Sequence, residues 1–377
     1  MENYIVSARK YRPQVFDTVV GQEHITRTLK NALKSGQIGQ AFLFCGPRGV
    51  GKTTCARILA KTINCLQLGE DLNPCGECES CKSFQENHSF NIHELDAASN
   101  NSVDDIRSLV EQVRYAPQVG SKSVYIIDEV HMLSTSAFNA FLKTLEEPPA
   151  HAVFILATTE KHKIIPTILS RCQIYDFKRV SIPDIISHLK NVAEKESIEV
   201  EEQALHIIAQ KADGALRDAL SIFDRLVSFS EKQLSYEACI EHLNVLDYDY
   251  YFKIVNAVIK HDLQALLLCF NEIIRKGFDP LIFITGLNAH VRDLLVCKLP
   301  QSVELLEVPE NLQEQYTAQA AQLTEDQLFA MLEVLSHAEM QYKSSKNQRL
   351  LAELALMQLV AAKEEGSKKK SLFHSQQ

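Results

Sequence analysis

The sequence predicts an α/β domain built on an open parallel sheet, followed by a second half made of helices. Three observations carry this. Short apolar runs recur through the first 180 residues with helix-period segments between them, the alternation a parallel sheet requires. The run Ala41 to Cys45 leads directly into CGPRGVGKTT and then into a helical stretch from Cys55 to Asn64. From Ser181 onward the strand pattern disappears and amphipathic helical spacing takes over.

A chain of 377 residues exceeds one ordinary core, so two or three domains are expected. The 46% hydrophobic content is that of a globular protein. No apolar run approaches membrane-spanning length and the first residues, MENYIVSARKYRPQ, have no signal-peptide core, which predicts a cytoplasmic protein with no membrane partner. Ten cysteines in that compartment are expected to be reduced. The net charge of −9 argues against a protein that coats DNA by bulk attraction. Residues 1–60 nevertheless hold nine Lys/Arg against three Asp/Glu, whereas residues 181–377 hold 19 against 29. Nucleic-acid contact is therefore expected to be local and in the first half, with a solvated imbalance as the alternative.

The first 40 residues contain ARKYRPQVFDTVV, from Ala8 to Val20, then Gly21-Gln22-Glu23 and an amphipathic helix through Leu33. A segment ahead of the first strand is placed to wall a bound base and ribose. Tyr11, Arg12, Pro13, Val19 and Val20 are candidates, the alternative being ordinary surface and core residues. The next stretch fits the P-loop pattern: Gly46, then Pro47, Arg48, Gly49 and Val50, then Gly51, Lys52 and Thr53, followed by Thr54. Glycines let backbone N–H groups curl round a polyphosphate, and the helix N-terminus adds partial positive charge. Lys52 reaches the terminal phosphates and Thr53 offers its hydroxyl to Mg²⁺. Strand, loop and helix in the right order favour this over a glycine-rich turn without a ligand.

Cys65, Cys75, Cys78 and Cys81 interrupt the periodicity, with Pro74 and Gly76 forcing tight turns. Two overlapping CxxC steps put three thiolates on one knuckle, and Cys65 at a helix end supplies the fourth. Four thiolates suit a closed tetrahedral Zn²⁺ site, with an iron–sulfur cluster or free thiols as alternatives. Cys45, Cys55, Cys172, Cys239, Cys269 and Cys297 stand among apolar residues and read as core.

Asn91 to Ala97 reads as a strand, followed by N-cap candidates between Ser99 and Ser102 and a helix from Val103 to Tyr115. Val124 to Asp128 is a buried strand ending in Asp128 and Glu129, the Walker B form, 76 residues after Lys52. Asp128 holds the Mg²⁺ ion and Glu129 polarises the attacking water. A strand from Ala152 to Ala157 ends in Thr158 and Thr159, whose hydroxyls either orient that water or reflect β-propensity. A fifth strand follows at Ile174 to Phe177. Residues 181–244 give about four helices, including Gly214 to Leu226, where Arg217 either reaches bound phosphate or pairs with a carboxylate. Further helices include Leu263 to Arg275, Pro280 to Cys297 and Glu325 to Tyr342, building either a self-contained core or an oligomer face. Residues 363–377 are expected to be a disordered tail.

With these pieces in place the chain resembles the gamma/tau subunits of bacterial DNA polymerase III, the ATPases of the sliding-clamp loader. The resemblance runs through ARKYRPQVFDTVVGQEH, GPRGVGKTT, the four-cysteine module, YIIDEVHMLS, FNAFLKTLEEPP, ATTE, ILSRC and GALRDALS, covering the first 230 residues closely. It implies an AAA+ P-loop domain with a five-stranded sheet at 1–180 and the zinc module inserted at 65–81. It further implies a helical lid at 181–244 and a helical collar at 245–362. The chain is expected to be the motor portion without the extension of tau forms.

The resemblance makes Arg171 an arginine finger for a neighbouring subunit's ATP, Thr158 the first sensor and Arg217 the second. Lys143 becomes a phosphate contact, and the loop at Asn100 and Asn101 a DNA contact through amides and helix N–H groups. The implied partners are delta, delta-prime and further copies of the chain in a five-membered ring, with the beta sliding clamp and primer–template DNA. ATP, Mg²⁺ and Zn²⁺ are the implied cofactors. The competing readings are another AAA+ DNA-remodelling motor and a non-hydrolysing scaffold subunit.

Overall fold

The computed structural model describes residues 5–86, 88–117, 120–229, 233–243, 246–299, 306, 308 and 310–373. The chain divides into two compact units, Met1–Leu234 and Ser235–Gln377.

In the first unit, α1 (Ser7–Lys10) and α2 (Glu23–Lys34) precede β1 (Ala41–Cys45), α3 (Lys52–Ile63) and α4 (Glu79–Gln85). Then come β2 (Ile92–Asp96), α5 (Val103–Val113), β3 (Ser123–Asp128), α6 (Thr135–Glu146), β4 (Ala152–Thr158), α7 (Pro166–Leu169) and β5 (Gln173–Asp176). The five strands are all parallel, in the order β2-β3-β4-β1-β5. Both faces are covered, which is why the central strands read as unbroken apolar runs. Phe42, Phe44, Ile126 and Ile155 pack on one side with Leu59 of α3, whereas Leu43, Ile127, Tyr125 and Leu156 pack on the other with Leu109 and Phe141. Parallel pairing brings the carboxyl ends to one edge: Cys45 lies opposite Thr158 and Asp176, and Asp96 opposite Asp128. Open α/β sheets bind ligands along that edge.

The unit continues through α8 (Ile182–Glu196), β6 (Glu199–Val200), α9 (Glu202–Lys211), α10 (Leu216–Val227) and β7 (Gln233–Leu234). The strand pattern was expected to end at Ser181, yet β6 and β7 pair in parallel. Two-residue strands are too short to carry an alternation that sequence reading can detect. The N-terminal segment is tied to these helices: the Ser7 N–H donates to Asp224 Oδ2 at 2.6 Å, and Tyr11 donates to Glu196. Buried Gln22 clasps the chain after β5, donating to the Lys178 carbonyl at 2.7 Å and accepting from its N–H at 3.3 Å.

The second unit contains α11 (Tyr236–Leu243), α12 (Tyr248–Lys260), α13 (Leu263–Arg275), α14 (Pro280–Lys298), α15 (Glu310–Ala320), α16 (Glu325–Tyr342) and α17 (Gln348–Phe373). It has a core of its own, with Phe270, Phe283, Leu287, Leu294, Leu335 and Leu356 buried together. A Cβ on Gly286 would lie 1.9 Å from the Tyr251 hydroxyl oxygen, so glycine there lets the ring lie against α14. Helix α14 is long and apolar enough to cross a membrane by length and composition, although Asn288, His290, Arg292 and Asp293 interrupt its apolar residues. Its burial against α12, α15 and α16 supplies the physical reason for that composition, since a helix at the centre of a bundle is apolar on most sides.

The expected boundary at 244/245 lies outside the described residues, and α11 groups with the second unit rather than with α8 to α10. Helix α17 runs to Phe373, so helical backbone replaces the expected unstructured tail from residue 363. Six of the eleven residues from 363 to 373 are Lys or Glu, which are good helix formers. Residues 374–377 lie outside the described residues.

Candidate functional site

The loop between β1 and α3 is held in backbone shapes that glycine permits. Gly46 and Gly51 have φ of 147° and 105°, and a Cβ on Gly46 would stand 2.5 Å from the Phe177 carbonyl oxygen. Helix α3 begins at Lys52 rather than at Cys55, so its free N–H groups face the loop. Lys52 is 6% exposed and its ammonium donates to the Gly46 and Pro47 carbonyls at 2.9 and 2.7 Å. Burial lowers its pKa, opposed by the charges of Glu129 and Asp128. The Thr53 hydroxyl donates to Asp128 Oδ2 at 2.5 Å.

Glu129 sits in the left-handed region, φ 48°, which turns its side chain back over the sheet edge. Its carboxylate accepts from Thr159 N–H at 3.3 Å and from the Thr159 hydroxyl at 3.0 Å. Thr158, by contrast, is wholly buried; its hydroxyl meets His131 Nδ1 at 3.1 Å and accepts from Glu160 N–H at 3.0 Å. His131 Nε2 lies 3.0 Å from Glu160 Oε2, and its Nδ1 is 3.4 Å from Glu129 Oε2. Thr159 is thus the direct hydroxyl partner of Glu129, and Thr158 meets it only through His131. Thr158 is the last residue of the wholly buried β4, whereas Thr159 follows the strand and is half-buried, a difference that two adjacent threonines do not announce in sequence.

Lys52, Thr53, Asp128 and Glu129 open into a cavity of about 420 Å³, whose lining does not include Thr158, Thr159 or His131. Tyr11, Arg12, Pro13, Val19 and Val20 all line it, together with Arg48 to Thr54, Asp128, Glu129 and Arg217. Gly46 and Pro47 lie outside that lining and contribute through their carbonyls on Lys52. Sequence reading missed Val6, Ala8 and Arg9 beside the predicted Tyr11, and His188, Leu216 and Leu220, which arrive from α8 and α10 far along the chain. His188 Nε2 is buried without a hydrogen-bond partner, an atom left for a ligand to satisfy. The glycine cradle, Lys52, the Thr53–Asp128 pair and this orphaned nitrogen fit a nucleotide with its magnesium ion. Arg217 N–H donates to the Gly49 carbonyl at 3.2 Å, fastening α10 to the phosphate loop.

Other predicted residues lie elsewhere. Arg171 is outside the cavity, donating to Glu146 Oε1 and the Thr167 carbonyl, both at 2.7 Å. Lys143 is exposed on α6. The amide of Asn100 donates to the Asp96 carbonyl at 3.1 Å, and Ser102 caps α5 in a reciprocal pair with Asp105. One hydrogen of that amide and the N–H of Asp105 are thus used within the chain.

The four cysteines converge. Their Sγ atoms all lie within 4.8 Å of one another, and Cys75 and Cys81 are 3.9 Å apart. Tetrahedral zinc with Zn–S bonds of about 2.3 Å places sulfurs about 3.8 Å apart, so the set fits that ion. Backbone N–H groups of Cys78 and Glu77 lower the Cys75 thiol to about 6, while burial pushes Cys81 up to about 12. Asn73, not foreseen, anchors the knuckle by accepting from Phe16 N–H at 3.1 Å and donating to Asp17 Oδ2 at 2.7 Å.

Comparison with known proteins agrees with this arrangement. Residues 21–181 match the family described as DNA polymerase III, delta subunit, and residues 184–232 match the clamp loader subunit ATPase lid domain. Residues 237–373 match domain III of DNA polymerase III subunits gamma and tau. DNA polymerase III subunit gamma of Buchnera aphidicola is 42% identical over 72% of this chain and 73% of its own length. The chain belongs to the DNA polymerase III gamma/tau family.

Two tau subunits of this family extend the likeness. That of Bacillus subtilis is 41% identical over 95% of this chain and 63% of its own length. That of Escherichia coli is 44% identical over 74% and 43%. The chain therefore spans under two thirds of these tau relatives. The RuvB Holliday junction branch migration motor of Thermotoga maritima is a looser structural likeness, at 22% identity and TM-score 0.47, covering 66% of this chain and 79% of that one. The three matched segments follow one another along the chain as the α/β domain with the phosphate loop, the ATPase lid domain and domain III.

Proposed function

We propose that this gamma/tau chain is the ATP-hydrolysing motor of a clamp loader, coupling ATP turnover to loading of a ring-shaped clamp on primed DNA in replication. One observation carries the proposal: the phosphate loop, Lys52, the Thr53–Asp128 pair and Glu129 line or border a single cavity with Arg217. A scaffold that merely resembled such motors would have no need of a restrained carboxylate beside the loop.

ATP lies with its base against Tyr11, Val19, Val20 and His188 and its phosphates in the loop. Thr53 and Asp128 would hold a magnesium ion, which would supply charge neutralisation for the bound phosphates. Glu129 takes the proton of the attacking water once it leaves Thr159. Lys52 turns from the Gly46 and Pro47 carbonyls to the terminal phosphates. Arg217 reads the same phosphates from α10, so their loss releases the lid. Arg171, on the surface and outside its own cavity, serves the ATP of the adjoining subunit in a five-membered ring with delta and delta-prime. The beta clamp and primer–template DNA complete the assembly, and zinc holds the cysteine knuckle. The cellular setting is the cytoplasm.

The test is reconstitution with delta, delta-prime, clamp and primed template, scored for ATP turnover and clamp loading. Turnover is expected to rise on adding clamp and primed DNA. Arg171→Ala is expected to keep ATP binding and to slow stimulated turnover about a thousandfold or more. Wild-type turnover by that variant in the assembled ring overturns the trans role, and absence of ATP uptake overturns the whole proposal.

A further inference from the structure

A second cavity of about 430 Å³ lies beside the first, walled by the N-terminal segment, α3 and α4. Its lining is Arg9, Arg12, Pro13, Gln14 and Thr54, with Arg57, Ile58, Lys61, Phe84 and Gln85. Four are cations and none is a carboxylate. Arg57 is matched, since its NH1 lies 2.6 Å from both Glu94 oxygens and its guanidinium stacks 4.5 Å from the Phe84 ring. Arg9, Arg12 and Lys61 have no ion pair among the described residues. Lys61 is the telling member: it is 5% exposed, and its ammonium reaches only Gln14 Oε1, at 3.4 Å. Burial and the nearby Arg57 charge both lower the pKa of Arg12.

A buried ammonium without a counter-charge is costly unless something anionic completes it. We infer that this cavity is a second anion site, taking a compact ligand with two or more phosphate groups through Lys61, Arg12, Arg57 and Arg9. The cavity is the size of a small-molecule pocket and is enclosed by three elements, which suits a small polyphosphate better than a nucleic-acid backbone. Arg12 and Thr54 face both cavities, and Arg12 Nε donates to Thr54 Oγ1 at 3.3 Å, so this site shares a wall with the nucleotide cavity.

The experiment titrates inorganic pyrophosphate into the full chain by calorimetry, with excess Mg²⁺ and saturating ADP to fill the phosphate loop. One further equivalent of pyrophosphate is expected to bind. Lys61→Met is expected to weaken it about tenfold or more, the loss of one charge-assisted contact, whereas Lys61→Arg retains it. Ligand-free Lys61→Met is expected to melt no lower than the wild type, because it removes an unmatched buried charge. A lower melting point, Lys61-independent binding, or weak binding as an adventitious ion only overturns the inference. So does Lys61-dependent binding of an oligonucleotide in place of pyrophosphate. Should ADP fail to bind, the proposed motor function fails, while the Lys61 dependence still decides this site.

Discussion

The Thr53 hydroxyl and the Asp128 carboxylate meet at 2.5 Å, joining the first turn of α3 to the end of β3 through the two side chains assigned to magnesium. Asp128→Asn keeps an acceptor for Thr53 and removes the charge. ATP turnover is expected to fall about a hundredfold or more while the melting temperature stays near that of the wild type. Chelating Mg²⁺ in the unaltered protein is expected to abolish turnover. Steady-state ATPase assays and thermal melts check both outcomes.

Glu129 is restrained by both the N–H and the hydroxyl of Thr159. Glu129→Gln is expected to bind ATP normally and to lose about 10²- to 10⁴-fold in hydrolysis. Thr159→Val removes one restraint and is expected to alter the hydrolysis rate severalfold without changing nucleotide affinity. Single-turnover hydrolysis and equilibrium binding separate the two effects. An unchanged rate in Thr159→Val, alongside a changed one in Thr158→Val, contradicts the role given to Thr159.

The cysteine knuckle predicts about one zinc per chain by elemental analysis, since the four sulfurs leave no open coordination position. Cys75→Ser with Cys78→Ser is expected to lose the metal and to loosen residues 65–86, read as faster hydrogen exchange there. Exchange in α12 to α16 of the second unit is expected to stay the same.

In the second unit, His290 Nε2–H donates to Gln319 Oε1 at 2.9 Å, and its Nδ1 accepts the Tyr316 hydroxyl at 2.8 Å. Gln319 in turn donates to the Phe252 carbonyl and to Asn256 Oδ1, which fixes which amide atom faces the ring. Burial depresses the His290 pKa from 6.5 to about 4. The unfolded chain therefore binds the extra proton first as pH falls. This contribution is complete above pH 6.5 and is lost progressively toward pH 4, by on the order of 3 kcal/mol in all. Denaturant titrations across that range are expected to show the loss, and His290→Gln to flatten it.

The phosphate loop was legible because its chemistry demands particular residues at fixed spacing within one strand–loop–helix unit, and the Asp128–Glu129 pair because it ends a separate apolar strand. The convergence of the cysteines was legible because two overlapping CxxC steps hold three sulfurs on one short segment. His188, Leu216 and Leu220 were not, since they reach the cavity through the docking of α8 and α10, which no local pattern encodes. The choice between Thr158 and Thr159 was hidden because neighbouring threonines at a strand end are alike in sequence, and only the end of β4 at Thr158 leaves Thr159 free to reach Glu129. The helices expected from Leu263 to Arg275 and from Glu325 to Tyr342 match α13 and α16 to the residue, and the structure adds side-chain caps at Asp262 and Thr324. Strands β6 and β7 left no such mark.

The link from Arg217 to Gly49 runs through main-chain atoms, N–H to carbonyl, not through the guanidinium. Side-chain replacement at 217 can thus silence whatever the guanidinium senses while leaving α10 moored to the loop. Mooring and sensing are separable by design of the backbone, and proline at 217, which has no N–H to give, would cut the rope along with the sensor.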